Sequence, residues 1–171
     1  MDISKFWKVI DKSRRVVDGE MEDMPESLKN ELIKLSNEDI LAFNNLYYLL
    51  MDEAYSWELW GVAYIIGGGC SDDSFTDFRS WLISKGQKAY ETGLANPDSL
   101  TKFIKEQDLD IECQLEGLSY AATQAWEEKT GQEMPTYTNT NFNAEPTGTN
   151  WGGKEDNLAK LLPKMWKKFW S

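Results

Sequence analysis

Between Trp57 and Trp81 two ring-rich segments meet across three consecutive glycines, Gly67-Gly68-Gly69. A helix does not run through such a triplet, because glycine loses the most backbone entropy on ordering and takes positive φ at little cost. The spacing on either side is helical. Trp57, Trp60, Gly61, Tyr64 and Ile65 share one face, and Phe75, Phe78, Leu82 and Trp81 form a second stripe. Ser71 or Asp72 supplies an N-cap for the second helix, expected from about Asp73 to Lys85 with Gly86 beyond its end. The pattern dictates helix, tight turn, helix. No long strand alternation is present anywhere in the chain.

The remaining segments read the same way. Residues 2–17 form a helix capped by Asp2, with Ile3, Phe6, Trp7 and Ile10 inward. Gly19 to Pro25 is a polar break, followed by a short helix through Leu28, Leu32, Ile33 and Leu35. Ser36-Asn37-Glu38-Asp39 is a capping box, and its helix carries Ile40, Phe43, Leu46, Tyr47, Leu50 and Ala54. Asn96-Pro97-Asp98-Ser99 places proline just inside a helix start. A further helix is expected from about Gln114 to Lys129, packed through Leu118, Ala121, Ala122, Ala125 and Trp126. Met134 to Gly153 is rich in Thr, Asn, Gly and Pro and reads as an extended loop or irregular hairpin. A last amphipathic helix runs from about Asp156 to Trp170, bent or restarted at Pro163. The expected fold is mostly α, a compact single-domain multi-helix bundle. Residues 1–135 form its core, 136–153 an irregular loop or hairpin packed on that core, and 154–171 a basic amphipathic helix whose apolar side docks on its own domain or, as alternatives, meets a partner protein or a membrane surface.

Composition excludes several chemistries. The chain has no histidine, so there is no imidazole base, no Ser-His-Asp or Cys-His pair and no His-ligated zinc. Cys70 and Cys113 are too few for a four-thiolate zinc site, and free thiols in a reducing compartment are expected. Eighteen Lys and Arg against 29 Asp and Glu give a net charge of −11. Such a surface repels nucleic acid and anionic lipid and favours a basic protein partner. The N-terminus lacks an apolar signal region, and the apolar run near Val62 to Ile66 is too short for a membrane span. A cytoplasmic protein without cofactor or metal is expected, its oligomeric state open. Against this charge, residues 154–171 carry five lysines and two acids, leaving −14 on residues 1–153.

Several strings resemble one family. They are Phe6-Trp7, Ile40-x-x-Phe43, Ala54-Tyr55-x-Trp57-x-Leu59-Trp60-Gly61-x-Ala63-Tyr64, Gly68-Gly69-Cys70-Ser71-Asp72-Asp73-x-Phe75-x-x-Phe78-Arg79-x-Trp81-Leu82-Ile83 and Asn96-Pro97-Asp98-Ser99-Leu100. Together with Glu127-Glu128-Lys129-Thr130-Gly131 they are similar to the bacterial domain of unknown function 4240 family over roughly residues 1–135. The resemblance implies a bacterial helical domain and brings no catalytic residue with it. Residues 136–171 lie outside it.

The glycine turn itself lacks the Lys and Ser/Thr of a phosphate loop. Asp72 and Asp73 suit the helix dipole, and with Asp77 they are also candidates for a cationic ligand. Arg79 is expected to stack on rings and to pair with Asp72, Asp73 or Asp77. Trp57, Trp60 and Trp81 suit core packing at this spacing. Binding candidates are Trp57, Trp60, Asp72, Asp73, Asp77, Arg79, Tyr137 and Trp151, with contacts from the loop Asn139 to Trp151. The functional expectation is an acidic protein-binding module, most concretely an immunity-type inhibitor that neutralises a toxin by contact. The first alternative is a hydrolase or transferase using Asp72 and Asp73 in an aromatic cleft with Glu58, Asp77, Trp60 and Tyr64. The second is a DNA-mimic inhibitor, which needs acids in spaced rows on one face. The residue content favours holding a ligand over transforming one.

Overall fold

The computed structural model describes residues 1–137 and 142–170. Asp2 opens α1 (Ile3–Val17) by accepting the Lys5 amide at 2.8 Å. The buried face of α1, including Phe6, Trp7, Ile10 and Val17, recurs at helical spacing. It lies against α2 (Met24–Leu32), which carries Pro25 in its first turn. Ser27 Oγ donates to the Ser13 carbonyl at 2.9 Å and fixes the two helices in register. Ser36 caps α3 (Asn37–Glu53), and Phe43 from this helix stacks on Phe6 with ring centroids 4.5 Å apart.

α4 (Trp57–Gly67) ends on Gly68 in the left-handed conformation, φ +65°, and Ser71 caps α5 (Asp72–Ser84). The α5 helix is the centre of the molecule. Phe75, Phe78, Trp81, Leu82 and Ile83 are fully buried, and α1, α3, α4 and α6 (Gln87–Ala95) pack around it. Residues 80–84 are buried on every side, while the first turn of the helix stays exposed at Asp72 and Asp73. Its buried Trp81 indole N–H donates to Asp108 on α7 (Glu106–Asp110) at 2.9 Å. Asp108 has no exposed surface and also accepts from Lys85 Nζ at 2.8 Å and the Lys105 amide at 2.9 Å. α8 (Ala121–Thr130) closes the core through Ala121, Ala122, Ala125 and Trp126 and ends on Gly131 at φ +66°.

Three local expectations change. Residues Pro97–Lys102 and Glu116–Tyr120 are 3₁₀ turns, so α8 begins at Ala121 rather than near Gln114. α6 is not expected from the sequence because Tyr90 is the one large side chain on its buried face, and Ala89 and Gly93 add no recurring apolar stripe.

The C-terminal segment forms α9 (Glu155–Leu161) and α10 (Pro163–Phe169), divided at Leu162-Pro163. Leu158, Leu162 and Met165 are buried, and α10 packs on α4 and on the turn at Pro97–Lys102. Gly61 permits this approach: a Cβ there would stand 2.5 Å from Leu158 Cδ1. The preceding segment is strapped along the α3–α4 junction. Asp52 accepts the Asn143 amide at 2.8 Å, the Thr147 amide donates to the Tyr55 carbonyl at 2.9 Å, and Glu58 accepts the Thr149 amide at 2.8 Å. The expected loop contacts from Asn139 to 141 lie outside the described residues. Among the described residues no helix is long and apolar enough to cross a membrane.

Candidate functional site

The α4–α5 corner gathers most of the candidate residues. From Trp57 a ladder of rings runs inward. Trp57 stacks on Trp60 at 5.5 Å, Trp60 on Phe75 at 4.8 Å, Phe75 on Phe78 at 6.2 Å, and Phe78 meets Trp81 at 5.3 Å. Trp57 and Trp60 are half-buried, whereas Trp81 is completely enclosed. The Trp60 indole N–H donates to the Cys70 carbonyl at 3.1 Å, tying the glycine turn to α4. Burial pushes the Cys70 thiol up to about 12, and Asp72 and Asp77 add to the rise. Cys70 is therefore a neutral thiol near pH 7 and a poor nucleophile.

Asp72 and Asp73 are exposed in the first turn of α5, behind the Ser71 cap whose Oγ accepts the Ser74 amide at 3.2 Å. Asp77, one turn further, is half-buried, and its carbonyl accepts the Leu115 amide at 3.1 Å. That bond brings Glu116 beside it. Burial, then Glu116 and Asp73, hold the Asp77 carboxyl above the ordinary aspartate range. Glu112 approaches the same turn, 3.7 Å from where a Cβ on Gly67 would be. Glu112 and Glu116 belong to this acidic corner and were not singled out from the sequence; their separation from Asp73 along the chain hides them. Glu58 is occupied by the Thr149 amide. Among the described residues no three side chains converge as metal ligands.

Arg79 departs from the expected ion pair. Among the described residues no carboxylate pairs with it; Nη1 donates to the Met51 carbonyl at 2.7 Å and Nη2 to Thr76 Oγ1 at 3.1 Å. The reason is helical direction. Asp72, Asp73 and Asp77 head toward the glycine turn, while the guanidinium crosses to α3 and lies over the Tyr55 and Phe75 rings at 4.8 and 5.0 Å. Desolvation lowers its pKa. It lines a cleft of about 420 Å³ with Tyr48, Met51, Asp52, Tyr55, Thr76, Phe142, Asn143 and Ala144. Phe75 and Thr76 precede Arg79 by four and three positions, the spacing of neighbours on a helix face, so this part of the site was accessible from sequence.

Tyr137 and Trp151 separate. Tyr137 stacks on Tyr48 at 5.5 Å and borders a neighbouring hollow with Asn44, Thr123, Glu127 and Met134. Trp151 is buried, donates from its indole to the Trp57 carbonyl at 3.2 Å and meets Tyr64 edge-on at 5.0 Å. It fastens the strap to α4.

A family model described as a protein of unknown function, DUF4240, matches residues 1–128. The match takes in both the acidic corner and the α3–α5 walls of the Arg79 cleft, and stops before the strap. No curated protein and no solved structure matches the chain.

Proposed function

The chain belongs to the DUF4240 family, whose description names no activity, and from its surface chemistry we propose a module that binds a basic protein. The concrete form is an immunity-type inhibitor that neutralises a toxin by direct contact. One observation carries this reading. Asp73, Asp77 and Glu116 lie close enough to repel one another, Asp72 adjoins them at the start of α5, Glu112 lies by the glycine turn, and none of the five forms an ion pair among the described residues. Burial and, after it, the charges of Glu116 and Asp73 hold the Asp77 carboxyl above the ordinary aspartate range. Lysines or arginines of a partner relieve that repulsion and are drawn in by long-range attraction. The half-buried rings of Trp57 and Trp60 lie alongside as apolar anchors. The exposed position of Asp72 and Asp73 and the neutral Cys70 thiol favour binding over carboxylate or thiol catalysis.

The test is capture from a host lysate with wild type and with Asp72→Lys/Asp73→Lys. The expected result is a basic protein retained at low salt, released at high salt and absent from the variant. Co-production of the chain must then protect cells from that protein. Retention by the variant equal to wild type, or no protection, removes the proposal.

A further inference from the structure

We propose that the Arg79 cleft binds a small aromatic carboxylate, a ligand separate from the acidic corner and its protein partner. The guanidinium has five N–H donors. The structure places two of them, on the Met51 carbonyl and on Thr76 Oγ1. Nε is buried without a hydrogen-bond partner among the described residues. A half-buried cation with no carboxylate in contact among the described residues, attracted by Asp52 only at longer range, recovers its lost solvation in part, and a bound carboxylate would offset the rest through the remaining Nη hydrogens. Asp52 is the one acid among the described lining residues, and its two oxygens are held by the Asn143 amide and side chain at 2.8 and 3.1 Å. The protein has thus directed its nearest carboxylate away to the strap and left the arginine open to an outside acid.

The walls specify the rest of the ligand. Tyr48, Met51, Tyr55 and Phe142 give the cleft largely apolar walls, which suit a flat apolar body. Tyr55 and Phe75 already hold the guanidinium in a fixed orientation. A single arginine with no second cation among the described lining residues matches a monocarboxylate rather than a phosphate, whose greater charge calls for more donors.

The probe is benzoate, with benzamide as its uncharged counterpart and inorganic phosphate as the competing anion, read by nitrogen–proton correlation NMR on the whole chain. Benzoate is expected to give saturable shifts at the Arg79 Nε–H and at the Tyr55 and Thr76 amides. Benzamide binds at least about tenfold more weakly, and Arg79→Gln loses benzoate by a similar factor. Asp52→Asn keeps an oxygen for the Asn143 amide and removes a negative charge, so it tightens benzoate by about threefold. No saturable shift with benzoate, equal binding of benzamide, or stronger binding of phosphate overturns the proposal. If Arg79→Gln fails to fold, Asp52→Asn decides: affinity unchanged or weakened overturns it.

Discussion

Asp98 and Met165 are 67 positions apart, and the Met165 amide donates to the Asp98 carboxylate at 2.9 Å. The Lys164 amide joins it at 2.9 Å. One buried acid in the family-matched region thereby caps the first turn of α10, which lies beyond that region. Backbone amides at a helix start have no partner within the helix, and a carboxylate satisfies both the amides and the dipole.

Asp98→Ala should cost about 1–2 kcal/mol. Hydrogen exchange should quicken across residues 155–169 more than across α5. Equal exchange in wild type and variant would show that Leu158, Leu162 and Met165 hold the segment without the cap.

Asp108 is a harsher site. Removing it strands the Lys85 ammonium and the Trp81 indole N–H in the interior. Asp108→Ala should lower stability by about 3–5 kcal/mol in urea unfolding. Pairing Asp108→Leu with Lys85→Met should cost less than the sum of the two single changes, since it removes both charges. Strict additivity would mean that the pair is not energetically coupled.

The pH response at the acidic corner has a definite sign. Asp77 holds its proton more tightly when folded than when unfolded. Its charge therefore opposes folding above the raised folded pKa, and the penalty fades as pH falls toward the unfolded value of about 3.9. Asp77→Asn should raise Tm near neutrality and lose that advantage in acid. Glu31 runs the other way. Hydrogen bonds from Lys12 and Lys34 lower its pKa, so its contribution is present above the unfolded value and is lost as pH falls through the folded one. Thermal scans of Asp77→Asn and Glu31→Gln across the acid range should diverge in opposite directions; parallel curves would contradict the assignment.

Cys70 gives a chemical check. With its thiol pushed up to about 12, alkylation of the native protein near pH 8 should be at least about a hundredfold slower than in urea. A native rate matching the unfolded one would place the sulfur in water.

Much of the helical framework was legible because its signals are local. Asp2, Ser36 and Ser71 each accept the amide three residues on, and Gly68 ends α4 as its lack of Cβ allows. α6 escaped because Ala89 and Gly93 bury little area and leave no apolar stripe. The site was less legible. Nothing near Arg79 in sequence indicates that it reaches the Met51 carbonyl, 28 positions away, in preference to Asp77, two positions away. The buried roles of Asp98 and Asp108 depend likewise on partners that tertiary packing supplies.

Asp52 and Glu58 serve as joinery: each receives a backbone amide of the strap, at Asn143 and Thr149. At Gly148, φ +80°, a Cβ would fall 2.0 Å from Glu58 Oε2, so the fit leaves no room for a side chain. Truncating either acid to alanine would unfasten a loop as well as lighten the electric field. Acid-by-acid mutagenesis of this surface therefore mixes two kinds of loss, and a partner's footprint is best drawn from Asp72, Asp73 and Glu116, whose carboxylates fasten no other segment among the described residues.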